Sequence, residues 1–241
     1  MDNSIEGRVA VVTGGSRGIG AAVAVQLAKD GADVVITYNQ SPDRAAEVVE
    51  GVKAAGRRAL AVKGTGVEAV EQAVAEFGRL DILVNNAGTA VFGPINELTA
   101  TDFDTVMDLN VKDPFLASSA ATAHLTEGGR IITIGSCAAT RVTGPGYALY
   151  SLSKTALIGL TKSLARDLGP RGITANVIHP GPIDTDMNPA DSPVADENRS
   201  NTALGRYGEA WDVAAAVSYL AGEAGRYVTG AQIAVDGGYT A

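Results

Sequence analysis

An apolar run over residues 8–13 ends in Gly14-Gly15-Ser16-Arg17-Gly18-Ile19-Gly20, and residues 21–29 beyond it are good helix formers. This order predicts a strand, a glycine turn and a helix in direct succession. Glycine lets a second backbone or a ligand come close, and the helix start offers free N–H groups and a partial positive charge to whatever lies in the turn. Such a unit suits a pyrophosphate. The glycines alone say little; their place between a strand and a helix gives them weight.

The rest of the chain repeats the alternation. Further strands are expected at residues 33–37, 58–62, 81–84, 130–135, 173–178 and 231–235. Helices are expected from about 42 to 55, as a short segment over 67–77, as one long run over 100–124, through Tyr150 and Lys154 to about 168, and over 209–221. Ser41 reads as the N-cap of the second helix, with Pro42 at its first position. Gly169-Pro170-Arg171-Gly172 stops the fifth. Strands alternating with helices imply a parallel sheet covered on both faces, with ligands outside the carboxyl ends of its strands. The expected fold is therefore α/β: one Rossmann-type doubly wound domain over residues 1–241, with about seven strands. Apolar residues at 46% can fill its core, and the 29 glycines fall in short punctuating clusters. Residues 186–204 turn polar and proline-containing without an apolar period, which reads as a substrate lid. No internal repeat or interdomain linker is visible.

Composition excludes several classes. A net charge of −8 leaves no basic stripe for phosphates, so nucleic acid is not an expected partner. The first eight residues lack the basic and apolar regions of a signal peptide, and no apolar run has the length of a membrane span. A soluble, cytoplasmic protein is expected. One cysteine, Cys137, and two histidines, His124 and His179, are too few for a Cys/His metal cluster.

Candidate chemistry follows from a few side chains. The second strand runs into Thr37-Tyr38-Asn39-Gln40-Ser41, where a dinucleotide fold reads the adenosine ribose. No carboxylate stands there to repel a 2′-phosphate, and Arg17 in the glycine turn can offer a guanidinium, which favours NADP(H) over NAD(H). Ser136 places a small hydroxyl at a strand's carboxyl end. Tyr150 and Lys154 are four apart and share a helix face, so the ammonium can stabilise a phenolate. The same spacing is common in amphipathic helices, where it signifies a buried ring beside a solvated lysine. Tyr147 has no lysine at the matching position. Asn110 lies within an apolar stretch and needs partners, either at a helix kink or in a site. His124 suits the C-terminal end of a helix.

Taken together, residues 13–20, Asn85-Asn86-Ala87-Gly88, Asn110, Ser136, Tyr150 with Lys154, Pro180-Gly181 and Val235-Asp236-Gly237-Gly238 resemble the short-chain dehydrogenase/reductase family over almost the whole chain. The nearest resemblance is to the 3-oxoacyl-carrier-protein-reductase-like group. Residues 128–136 and 181–189 resemble a subset of it that includes a cyclic-dinucleotide-binding biofilm-dispersal protein. The resemblance implies hydride transfer between a nicotinamide and a carbonyl or carbinol carbon. It implies Tyr150 as the proton donor and Ser136 as a hydrogen-bonding partner of the same oxygen. Lys154 would lower the Tyr150 pKa and bind the nicotinamide ribose, and Asn110 would support a water relay. Cofactor contacts are implied for Gly14, Ser16, Arg17, Gly18, Ile19, Gly20, Tyr38, Asn39, Ser41, Asn86, Ala87, Gly88, Tyr150, Lys154, Pro180, Gly181, Ile183 and Thr185. A homo-oligomer, tetramer or dimer, is implied, with the helix faces over 148–164 and 213–220 and Trp211 as candidate surfaces. The family's usual aspartate after the third strand is missing, since the chain reads Lys63-Gly64-Thr65-Gly66. No basic patch for a carrier protein is evident, so a small or medium ketone is the expected substrate. The alternative is a regulatory protein binding NADP(H) or a cyclic dinucleotide on the same fold.

Overall fold

The computed structural model describes residues 4–241; Met1, Asp2 and Asn3, which begin the expected domain and the N-terminal stretch read above, lie outside the described residues. Seven strands pair in parallel: β1 (Val9–Val12), β2 (Asp33–Tyr38), β3 (Ala59–Lys63), β4 (Ile82–Asn85), β5 (Arg130–Ile134), β6 (Thr174–Pro180) and β7 (Gln232–Val235). Their order is β3-β2-β1-β4-β5-β6-β7. The order reverses between β1 and β4, where Val12 pairs with Val84, and the crevice of a doubly wound sheet opens at that point.

Both faces are covered, which is why the strands are apolar almost without alternation. Ala10 and Val12 point to a core shared with α1 (Gly18–Lys29), α2 (Pro42–Ala54) and α8 (Ala210–Ala221). Val9 and Val11 point the other way, to α3 (Gly66–Phe77), α5 (Asp113–Thr122) and α6 (Ala148–Leu168).

Several elements depart from the sequence expectation. The long helix over 100–124 is α4 (Ala100–Met107), a π-helical turn Asp108–Lys112, and α5. The wide turn sits at Asn110, whose side chain is drawn inward. Helix α3 begins one residue before the expected start, at Gly66, because Thr65 and Glu68 form a capping box there. The Ser41 hydroxyl makes no capping hydrogen bond although the helix begins at Pro42 as expected. Strand β6 extends to Pro180 because β7 continues to pair with it there, Pro180 opposite Val235. Residues 186–204 contain a helix, α7 (Ala195–Ser200), and Leu204 N–H donates to Gly237 O at 3.0 Å. Val213, Val217 and Leu220 face the core and not a partner, whereas Trp211 and Tyr219 are exposed. No helix among the described residues is long and apolar enough to cross a membrane.

Candidate active site at the carboxyl ends of the strands

The glycine turn is held from two sides. Thr37 Oγ1 accepts from Gly14 N–H at 2.8 Å, and Gly15 N–H donates to Thr37 O at 2.9 Å. On the other side Thr13 Oγ1 accepts from the N–H groups of Asn86 and Ala87, each at 2.9 Å, while Asn86 Nδ2 donates to Thr13 O and Gly14 O. The glycines are required by this closeness. A Cβ at Gly14 would lie 2.9 Å from Ala87 Cα, and one at Gly20 only 2.4 Å from Gly14 O. Gly14 and Gly18 also have φ of +62 and +53, the left-handed region that favours glycine. The turn is thus a narrow backbone cradle at the start of α1, with Ser16, Arg17 and Ile19 on it.

Arg17 does not stand alone as a cation beside this cradle. Arg44, in the first turn of α2, pairs with Asp186 of the 186–204 segment, and Arg17 Nη1 lies 3.7 Å from the same carboxylate oxygen. All three side chains are about half exposed. The Arg44 guanidinium beside it, and then Arg17, hold the Asp186 carboxyl below its ordinary value. The start of α1 and the first turn of α2 therefore aim cations at one anionic oxygen. Tyr38, Asn39 and Ser41 lie at the same end of β2, with Asn39 exposed and Tyr38 half-buried against the core.

Across the switch point, Asn110 is fully buried. Its Oδ1 accepts from Thr89 N–H at 2.8 Å, and its Nδ2 donates to Thr89 O at 2.8 Å and to Ser153 Oγ at 3.0 Å. The π-turn residue thereby clamps the loop after β4 to α6. A Cβ at Gly88 would stand 3.3 Å from both Asn110 Oδ1 and Lys154 Nζ, so the loop after β4, whose Ala87 packs on Gly14, meets the lysine there. Lys154 is 5% exposed; its Nζ donates to Ile134 O at 3.1 Å and lies 5.9 Å from the Tyr150 ring centroid. Burial pushes its pKa down to about 8.

Ser136 follows β5. Its Oγ accepts from Ala138 N–H at 3.1 Å, its hydroxyl also hydrogen-bonds the Tyr150 phenol, and its own N–H donates to His179 Nδ1 at 3.2 Å. Burial holds His179 below its ordinary pKa, so the imidazole is neutral and able to accept. Burial pushes the Tyr150 phenol up, opposed by hydrogen bonding to Ser136. Cys137, also buried, is pushed up to about 11 and is inert as a nucleophile.

The structure thus gathers Asn110, Ser136, Tyr150, Lys154, Gly88 and the glycine turn at one end of the sheet. Other residues have different surroundings. Gly181 packs on the turn at Asp236, where a Cβ would come within 2.6 Å of Asp236 Cα. The Ile183 side chain is in the core, while Thr185 approaches Gly18. Sequence reasoning passed over Thr13, Arg44, Asp186 and His179 as site residues. Arg44 had a signal, being a basic residue three beyond Ser41; the partnership with Asp186 had none. Tyr147, set aside for want of a lysine, stacks with Phe92 beside Tyr150.

A family model described as enoyl-(acyl carrier protein) reductase matches residues 14–240. The chain belongs to the short-chain dehydrogenase/reductase family of oxidoreductases. Among solved structures it is similar to a short chain dehydrogenase from Burkholderia cenocepacia J2315 in complex with NADP, at 53% identity and a TM-score of 0.97, over 99% of this chain and 100% of that one. A blue fluorescent protein from a metagenomic library, in complex with NADPH, is 52% identical with a TM-score of 0.96, over 99% and 100% of the two chains. Among characterised relatives, the cyclic-di-GMP-binding biofilm dispersal mediator protein of Escherichia coli K12 is 44% identical over 98% of each chain.

Proposed function

We propose that the protein is an NADP(H)-dependent carbonyl reductase acting on a ketone, with alcohol oxidation as the reverse reaction. The observation that carries this reading is the meeting of Lys154 and Asn110 with the backbone at Gly88, beside Ser136 and Tyr150 and at the mouth of the glycine cradle. NADP(H), when bound, supplies or accepts the hydride. The narrow cradle of Gly14, Ser16, Gly18, Ile19 and Gly20 fits a pyrophosphate, because side chains there would fill it. Tyr38, Asn39 and Ser41, with Arg17 and Arg44, receive the phosphorylated ribose. Asn86, Ala87 and Gly88 line the middle of the groove, and Pro180, Gly181, Ile183 and Thr185 close its far end.

Ser136 turns its hydroxyl proton to the substrate oxygen, and Tyr150 gives its own proton to the alkoxide as charge develops there. A phenol kept protonated by burial is in the right state for reduction at neutral pH. Lys154 is the cation nearest the phenolate that Tyr150 becomes, and Asn110 fixes the wall against which Lys154 lies. Residues 186–204 act as the lid. The working form is a cytoplasmic homo-oligomer, tetramer or dimer.

The test is loss of NADPH absorbance with a panel of ketones, β-ketoesters, diketones and quinones. Ketone-dependent oxidation is expected, and Tyr150→Phe is expected to abolish it while leaving NADPH binding intact. Near-normal turnover by that variant would refute the mechanism. A second reading, binding of a cyclic dinucleotide in the same groove, is favoured by the pair Arg17 and Arg44 on one anion and by the name of the Escherichia coli relative. Titration calorimetry with cyclic di-GMP giving no heat at high micromolar ligand removes it.

A further inference from the structure

Beside Tyr150 the protein holds a ring that folding alone does not explain. Phe92, on the loop after β4, is 57% exposed, yet its ring centroid lies 5.0 Å from that of Tyr147, edge to face, and 5.5 Å from that of Tyr150. A large apolar ring left mostly in water gains little for the fold. Its position is nevertheless fixed. Gly93 N–H donates to Gly146 O at 3.1 Å, which ties the Phe92 loop to the start of α6, and Gly146 takes a φ of +87 to allow it. The wall is therefore tied to the start of α6, and it adjoins Tyr150.

Further rings flank it. The Tyr147 phenol is raised by burial and then by the nearby Tyr239, Cys137, Glu197 and Tyr207. Tyr239 and Tyr207 have their hydroxyls occupied, the first with Thr143 Oγ1 at 2.8 Å, the second with Asn198 Nδ2 at 2.8 Å and Asn188 Oδ1 at 3.2 Å. The arginines behind these rings are also engaged. The Arg141 guanidinium stacks over Tyr239 at 5.4 Å and donates to Tyr239 O, and that of Arg199 lies over Tyr207 at 5.5 Å and pairs with Asp196. A carboxylate or phosphate on the substrate would compete with partners already in place, and would meet Glu197.

We infer that this wall selects an uncharged aryl ketone, whose ring lies against Phe92 and Tyr147 while its carbonyl oxygen meets Ser136 and Tyr150. Stacked and edge-to-face rings attract beyond the area they bury, and a saturated ring of the same size lacks that part. The inference rests on the reductase reading and names its substrate class.

Acetophenone and cyclohexyl methyl ketone share a skeleton and differ in aromaticity. Because conjugation alters the intrinsic reactivity of the carbonyl, the quantity to read is the change in their kcat/KM ratio between variants. Phe92→Leu is expected to lower the aryl-to-alicyclic ratio about three- to tenfold, through KM for acetophenone. Phe92→Tyr is expected to retain the ratio, which guards against misfolding as the cause. An unchanged ratio in Phe92→Leu overturns the inference, as does equal loss on both ketones, which would make the ring a support for Tyr150 only. Refusal of acetophenone by the wild type while aliphatic ketones turn over also overturns it. These outcomes leave the reductase reading standing. Silence of the wild type toward every carbonyl in the wider panel would overturn both.

Discussion

Lys154 shows how burial alone can turn an ordinary side chain into a titrating one. Buried, with the Ile134 carbonyl as its hydrogen-bond acceptor, the ammonium is held at a pKa of about 8. Tyr150 is shifted upward by the same burial, so as pH rises the lysine loses its proton first. Reductive kcat/KM for NADPH, which reports the free enzyme, is expected to fall as pH passes through about 8, and Lys154→Met to remove that limb along with most of the activity. Stability runs the other way. Between about 8 and an unfolded value of ~10.4 the unfolded chain binds the extra proton, so this group's contribution to stability rises with pH across that window. A wild-type melting temperature that rises relative to that of Lys154→Met as pH climbs from 8 to ~10 would bear this out; parallel curves would not. The sequence placed Tyr150 and Lys154 on one face through a local period. It could not supply the sign of the Tyr150 shift, which depends on what packs around the pair.

Elements matter here chiefly where they end. The turns β1 to α1 and β2 to α2 each contribute one guanidinium, and the segment after β6 contributes the carboxylate between them. If the pair reads a 2′-phosphate, Arg17→Ala and Arg44→Ala should each raise KM for NADPH about tenfold and leave KM for NADH nearly unchanged, since charge-assisted hydrogen bonds of this kind are worth ~1.5–3 kcal/mol before exposure weakens them. Asp186→Asn should lower KM for NADPH by removing a competing anion. Equal effects on both cofactors would place the arginines elsewhere. Arg17 was legible because it lies within a motif. Arg44 becomes meaningful only when its partner, 142 residues away, is brought to it. The broken helix teaches the same lesson: a run of helix formers through Asn110 reads as continuous, but the amide bonds to Thr89 and Ser153 outweigh one regular turn.

On the scale of the whole molecule, one face is left conspicuously apolar. Phe103, Met107, Val111, Phe115 and Leu160 of α4, the π-turn, α5 and α6 line a groove of about 390 Å³, and Phe115 and Leu152 are more than half exposed. Patches of this kind mark contact surfaces. Light scattering is expected to give a multiple of the 24.5 kDa chain mass, and Phe115→Glu to reduce it; a monomeric wild type would refute the proposed assembly. The alternation of apolar runs with helix formers, punctuated by glycine, was enough to determine a doubly wound parallel sheet with its cleft at the carboxyl ends. Those patterns are local, and sterics and burial enforce them wherever the chain lies. Tertiary structure alone decided which side of each helix meets solvent, that Asn110 clamps Thr89, that Asp186 lies between two arginines, and that Phe92 stands beside Tyr150. Each of these joins segments far apart in the chain, and such contacts are set by how the layers pack and not by any spacing along the sequence.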